Sequence, residues 1–590
     1  MNTHNMVLVL REVAGNRKQT NKMLSEATGL SPQELEVVLD GSQQRGLISN
    51  DGQGWGLTPG GQEWLQPYKV DNAIILAAGF GSRAVPLTYE TPKGLLPVKG
   101  TPMLEREIEQ LIERGITSIV IVVGYMKEAF DYLIDKYGVK LIYNPDYATK
   151  NNFASLYRAI NHLRSSYVLV ADNWIEQNMF HSYEPDSWFS CLYFEGETHE
   201  WCVDVDSDGR INEIHIGGED SLAVVGPAYF SATFSDKFRA LLEEYYRKPG
   251  SADFYWEHIL RDHIHELPMY VNEQTGNLHE FENLEELRQY DTTYIDNTRN
   301  KIMEFIAESQ NVSQGSIDHI VPLKAGVTNH SFKFDINDRG YVFRLPGYGT
   351  DKLINRANEK ATYLALGDLG IADEIVLFDE KSGIKISTYY PNSTIADPFS
   401  DEDLYLSMTK IKQVHDQSLR ANHSYDLASM IRYYYKLADE IHAIRFRDVQ
   451  DVLEKVEELL RLKDEMAIPE VLCHGDYAHT NVLKLSNGDI RLIDWEYSGM
   501  ADPMMDVSMY TIYAQFDKAR IDLAVEYYLG RKPTQQEAVR LYMYVALGGF
   551  LWSMWGQYKQ GLGQEFGEYP MIMYRYMKDY YRIVQEMLLQ

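Results

Sequence analysis

Two stretches of this 590-residue chain set oxygen ligands and cations at spacings suited to phosphate chemistry. The first is "HGDYAHTN", 474–481, with the order H-x-D-x-x-x-x-N inside an apolar frame, followed by "LIDWEY". Phosphoryl transfer needs an acceptor for a hydroxyl proton and oxygen ligands that hold a hard cation on the nucleotide phosphates. Asp476 suits the first role; Asn481 and Asp494 suit the second. The upstream parts come in a matching order. "LKAGVTNHSFKF" reads as a glycine hairpin over phosphates, with Thr328 and Asn329 beside it. "YVFRLPG" reads as a strand bearing the cation Arg344, and "NRANEKATYLALGDLG" as a helix offering Glu359 to pair with it.

The second stretch is "LAAGFGSRAVPLTYETPKGLLPV", 76–98. Gly79 and Gly81 let backbone N–H groups approach a triphosphate, with Leu76, Ala78 and Ser82 in the same loop. Arg83 and Lys93 supply positive charge beside it. No G-x-x-x-x-G-K-[ST] occurs, so this is not a Walker A loop.

These stretches need elements to hold them. From Asp71, "NAIILAAG", "ITSIVIVVG", "VKLIYN" and "YVLVADNW" alternate with helical patterns, which predicts a parallel α/β sheet over 71–296. From about Asn300, strand signals give way to long helical patterns, predicting an α+β domain over 300–590. Residues 1–67 form a third segment. "QTNKMLSEATGL" and "SPQELEVVLDGSQQRGLI" read as two helices about a turn, with Ser31 as N-cap and Pro32 in the first turn, before the Gly-rich hairpin "ISNDGQGWGLTP".

Composition bounds the function. The chain is too long for one core, and no apolar run reaches the length of a membrane span. The three cysteines have neither metal-ligand spacing nor a disulfide framework's density, so a cytoplasmic protein is expected. The net charge of -30 opposes general nucleic-acid binding and leaves anionic substrates to local cations. Through Gln66 there are five Lys/Arg against seven Asp/Glu, and the second helix carries Glu34, Glu36 and Asp40. Helix, turn, helix and hairpin resembles a winged helix-turn-helix, but this helix would meet phosphates with the wrong sign. A regulatory or protein-contact role is expected ahead of DNA binding.

The segment 300–590 resembles the choline kinase branch of the protein-kinase-like fold, through "RLPG", "HGD" in place of "HRD" and "IDWEY" in place of "DFG". The resemblance implies Asp476 as catalytic base, Asn481 and Asp494 as Mg²⁺ ligands, Arg344 and Glu359 as ATP-positioning residues, and 386–390 as the hinge beside adenine. It also implies that Trp552 and Trp555, three apart on one helix, line a choline pocket, with Tyr510 or Tyr513 as a third wall. A quaternary ammonium donates no hydrogen bond, so aromatic faces must hold it.

The segment 71–296 resembles the nucleotidyltransferase superfamily through L-A-A-G-x-G-x-R and P-K-x-L-L-P-V. In place of the sugar-activating signature it has "NNFASLYRA", like choline-phosphate cytidylyltransferases. That likeness implies Asp172 and Glu257 as metal ligands, a glutamate where relatives more often have aspartate. It implies Asn152 and Ser155 as nucleotide contacts, and Trp201 and Tyr255 as walls of a second choline pocket. The combined expectation is a bifunctional enzyme. It would phosphorylate choline with ATP and then join phosphocholine to CTP, releasing pyrophosphate. Ethanolamine or 2-aminoethylphosphonate in choline's place stays open, as does a regulator that senses choline nucleotides. Oligomeric state is not readable from the sequence.

Overall fold

The computed structural model describes residues 2–15, 18–323, 329–347, 354–367, 369–466, 468–563 and 566–589. The chain forms two compact units, Met1–Ser316 and Ile317–Gln590. Among the described residues, no helix is long and apolar enough to cross a membrane.

The first unit opens with helices Thr3–Val13, Asn21–Thr28 and Pro32–Gln44, a hairpin of Ile48–Asn50 with Trp55–Leu57, and helix Pro59–Leu65. Gly29 ends the second helix at φ +69°, a conformation glycine adopts without a Cβ clash. Ser31 and Glu34 then close a reciprocal capping box over Pro32. These elements share a small core of their own that includes Val7, Leu10, Leu39 and Trp55. Helix Thr3–Val13, not anticipated above, contributes Met6, Val7, Val9, Leu10 and Val13 to that core. The expected boundary at 67–71 does not divide compact bodies. Arg11 reaches Glu184 at 2.8 Å, and the Tyr167 hydroxyl donates to the same buried carboxylate at 2.6 Å.

The rest of the first unit is built on a seven-stranded sheet. Its order is Tyr270–Glu273, Trp188–Val205, Ile211–Phe230, Ser166–Val170, Asn72–Ala77, Ile119–Val123, Lys140–Tyr143. The last four are parallel, as the apolar runs predict. The sheet as a whole is mixed, because Ile211–Phe230 pairs antiparallel with both of its neighbours. Pure apolar runs mark strands buried on both faces; these two long strands alternate and carry many exposed acids, so they read as polar. Helix Lys301–Gln310 also belongs to this unit, so the boundary lies after 316 and not at 300. The Asn300 amide donates to the Pro86 carbonyl at 3.2 Å, and Thr298 and Arg288 bond Gln314.

The second unit begins with a five-stranded antiparallel sheet. Its order is Ile317–Pro322, Asn329–Ile336, Arg339–Pro346, Lys385–Thr388, Ile375–Phe378, with helix Arg356–Leu366 beside it. A larger helical part follows. Its 27-residue helix Gln535–Gly561 is apolar nearly all round, because Met504–Tyr513, Leu427–Glu440 and Tyr569–Leu588 pack against it.

Candidate active sites

In the first unit the parallel strands end together, and their C-terminal loops form a crevice, the usual ligand position in an open α/β sheet. Leu76, Ala78, Gly79, Gly81, Ser82, Asn152 and Ser155 border one cavity of about 320 Å³, with Lys93 and Asp172. Gly81 lies at φ +62°, and a Cβ there would come within 2.9 Å of Thr88 and 3.0 Å of Lys93. Only glycine lets this loop lie so close to the lysine.

Lys93 Nζ stands 2.6 Å from Asp172 Oδ2 and 4.0 Å from Glu280 Oε1. Burial opposes its charge, but Asp172 and Glu280 hold its pKa above the ordinary lysine value. Glu257 is pushed up to about 7 by burial, with Glu280 adding repulsion. Glu280 is itself raised to about 7 by burial and by Asp172. The Glu280 charge thus acts on Glu257 and the Asp172 charge on Glu280, with Lys93 between Asp172 and Glu280. Glu280 escaped the sequence reading. It is positioned by strand Leu278–Glu280 pairing with Asn173–Ile175, which sets it opposite Asn173 and so beside Asp172. Arg83 pairs with Glu282 and does not border the cavity, although its charge reaches Asp172.

Asn152 links this cavity to the turn beyond it. Its Oδ1 accepts from the Trp256 backbone N–H at 3.0 Å, and its Nδ2 donates to Glu257 at 3.5 Å. Ser155 accepts from Asn144 at 3.0 Å. Trp201 meets Tyr255 edge-on at 6.5 Å and His258 at 4.7 Å. Burial, and then the Arg261 charge, lower the His258 pKa, which favours the neutral ring.

In the second unit, Gly475 turns the chain into Asp476 at φ +81°; a Cβ there would strike the Tyr497 carbonyl at 2.1 Å. Asp506 accepts the backbone N–H groups of His474 at 2.7 Å and Gly475 at 2.9 Å, which fixes the loop from below. Asp476 Oδ1 accepts from the Tyr513 hydroxyl at 2.5 Å, and Oδ2 from Asn481 Nδ2 at 3.3 Å. Burial raises its pKa, and these hydrogen bonds partly offset the rise.

Arg344 Nη2 lies 2.7 Å from Glu359, and its Nη1 lies 2.9 Å from Asp494. Arg356 and Glu496, which the sequence reading did not single out, complete the network. Arg356 bridges Glu359 at 3.1 Å and Glu496 at 3.2 Å, and Asn329 donates to Glu496 at 3.2 Å. Asn481 bonds Asp476 through its amide nitrogen and Asp494 meets Arg344 through Oδ1, so the oxygens of both residues are of the type a hard cation takes. Thr328 lies outside the described residues.

The aromatic wall differs from expectation at one position. Tyr513, Trp552 and Trp555 form a continuous series with centroids 5.3 and 5.8 Å apart, and Phe566 and Tyr569 extend it at 4.9 and 6.3 Å from Trp555. Tyr510 is not part of it. Its ring packs on Tyr477 at 5.3 Å and its hydroxyl donates to Ser407 at 3.3 Å, within the core. At about 100° per residue, a three-residue step turns the two tyrosines about 60° apart, and only the last-turn residue reaches Asp476.

Fold and sites together define a transferase with two active sites, a nucleotidyltransferase followed by a kinase. The description "MobA-like NTP transferase domain" fits residues 73–172, and "Choline/ethanolamine kinase" fits residues 320–546. The chain is 39% identical over 218 residues to the choline-phosphate cytidylyltransferase of Streptococcus pneumoniae, covering 37% of this chain and 95% of that protein. It is 36% identical over 229 residues to the 2-aminoethylphosphonate cytidylyltransferase of Lancefieldella rimae, covering 38% and 93%. A solved choline kinase from Streptococcus pneumoniae is 25% identical, with a TM-score of 0.43, over 48% of this chain and 100% of that one. Through its first unit the chain belongs to the choline-phosphate cytidylyltransferase family, and its second unit carries a choline/ethanolamine kinase domain.

Proposed function

We propose that the chain makes CDP-choline in two steps, with choline as the cation held at both sites. The observation that carries this reading is the aromatic series beside Asp476, formed by Tyr513, Trp552, Trp555 and Tyr569; the first unit holds a second ring cluster, Trp201 with Tyr255 and His258. Ring faces suit a quaternary ammonium, each contact contributing about 0.5–2 kcal/mol.

In the kinase unit, Asp476 takes the hydroxyl proton as the choline oxygen bonds to the γ-phosphorus of ATP and ADP leaves. Arg344, held by Glu359, orients the phosphates. In the first unit, a phosphocholine oxygen attacks the α-phosphorus of CTP and pyrophosphate departs. Lys93 and the glycine loop hold the triphosphate. Asn481 with Asp494 in one unit, and Asp172 with Glu257 in the other, would hold Mg²⁺; when bound it would neutralise phosphate charge.

The kinase on the same chain separates the two relatives' substrates. A kinase creates a C–O–P ester, the acceptor that phosphocholine provides, whereas 2-aminoethylphosphonate already carries its phosphorus on carbon and needs no kinase. Phosphorus NMR of the protein with Mg²⁺, ATP and CTP tests this. Choline should give phosphocholine and then CDP-choline, ahead of ethanolamine. A preference for ethanolamine, or conversion of added aminoethylphosphonate alone, would remove choline from the reading.

For residues 1–67 our reading is a winged helix-turn-helix with a regulatory or protein-contact role. The helix that would face DNA exposes Glu34, Glu36, Val37 and Asp40. A gel shift at low salt with random duplex DNA should show no complex.

A further inference from the structure

The nucleotide cavity is short of free cations. A triphosphate brings several negative charges to a chain of net charge -30. Yet Lys93 is engaged with Asp172, and Arg83 is engaged with Glu282 outside the cavity. Among the described residues that border the cavity, one further cation is present, Lys150, and it has no carboxylate at ion-pair distance.

Its side chain is parked on an aromatic ring. Lys150 Nζ lies 3.8 Å from the centroid of Tyr246. Tyr246 stacks on Tyr157 at 3.8 Å and 8°, and Arg158 bonds both its hydroxyl and Asp146. The ring is therefore fixed. So is the backbone beneath the lysine: Lys150 N–H donates to the Asp146 carbonyl at 2.9 Å, and Asn151 N–H donates to the Ala252 carbonyl at 2.9 Å. A half-exposed cation–π contact is worth little beside a charge-assisted bond to phosphate. Backbone held and side chain loosely stored is the arrangement of a residue that moves to its ligand.

We propose that Lys150 binds the β- and γ-phosphates of the nucleoside triphosphate and holds the departing pyrophosphate, opposite the glycine loop and Lys93. This rests on the nucleotidyltransferase reading of the cavity. As the bond from the α-phosphorus to the bridging oxygen breaks, its electron pair goes to that oxygen. The Lys150 ammonium meets the charge that accumulates on the leaving group.

Steady-state kinetics of the full chain with Mg²⁺, comparing wild type, Lys150→Met and Lys150→Arg, tests this. Lys150→Met should raise the KM for CTP and the inhibition constant for pyrophosphate in parallel, each about tenfold or more, as expected for loss of one charged hydrogen bond. The KM for phosphocholine and the ATP-dependent kinase activity should stay within about twofold, and Lys150→Arg should recover most of the loss. A structural role would instead move the phosphocholine KM as well, and would overturn the assignment. So would an unchanged CTP KM. Should wild type not turn over phosphocholine, calorimetric titration of CTP and pyrophosphate still decides: weaker binding by Lys150→Met supports the proposal and equal binding sinks it.

Discussion

Tyr513 and Glu280 show what single residues add to a motif. Tyr513 both bonds Asp476 and opens the aromatic series that runs through Trp552 to Trp555. Trp555→Ala should therefore raise the choline KM about tenfold with a smaller change for ethanolamine, read from initial rates on both amines. Equal loss on the two would mean the ring only packs. Glu280→Gln keeps the shape but removes a third carboxylate beside Asp172 and Lys93. CDP-choline formation should fall about ten- to hundredfold, with a higher Mg²⁺ requirement and unchanged kinase activity. The residues that motifs revealed lie in short local stretches, among them Leu76 to Lys93, Arg344 to Glu359 and His474 to Asp494. Glu280, Arg356 and Lys150 join those sites only through strand pairing, helix packing or a loop crossing, which a single sequence does not display; the sequence offered Tyr510 or Tyr513, and helix rotation decides for Tyr513.

Elements decide whether the motifs are presented at all. Helix Met504–Tyr513 supports the loop that carries Asp476 through Asp506, which satisfies two buried N–H groups of the HGD turn. Asp506→Ala leaves both donors unpaired, at a cost of about 1–3 kcal/mol each. The second unit should lose stability in chemical denaturation and lose kinase activity, while cytidylyl transfer persists. Helix Gln535–Gly561, which carries Trp552 and Trp555, starts at a capping box of Thr534 and Glu537. Arg531 and the Thr534 bonds hold the Glu537 pKa near 2, below its ordinary 4.5. The folded state thus prefers the carboxylate. This contribution is complete above pH 4.5 and is lost as pH falls toward 2, so Glu537→Gln should flatten the acid limb of the second unit's unfolding curve. Thr534→Ala should cost about 1 kcal/mol at pH 7. The parallel strands and the Ser31 cap were legible because apolar runs and capping residues are local signals. The two long antiparallel strands were not, because their exposed faces read as polar loops.

At the scale of the whole chain, one junction makes residues 1–67 part of the first unit. Arg11 is paired to Glu184, a carboxylate that is 3% exposed and shared with Tyr167. Removing one partner of a buried pair leaves a charge without water or counter-ion, so Arg11→Ala should destabilise this junction by about 3 kcal/mol. Beside it, burial and then the charges of Arg11 and Arg114 hold the His181 pKa down to about 3, from 6.5. The unfolded chain takes up a proton below pH 6.5 that the folded form excludes, so stability is lost progressively from 6.5 down toward 3. Arg11→Ala removes one of the repelling charges as well as the ion pair. The variant should be less stable than wild type at pH 7, yet lose less on acidification to pH 5. Hydrogen exchange of helix Thr3–Val13 at the two pH values reads both effects. A variant that loses as much as wild type between them would show that His181 does not carry the acid response.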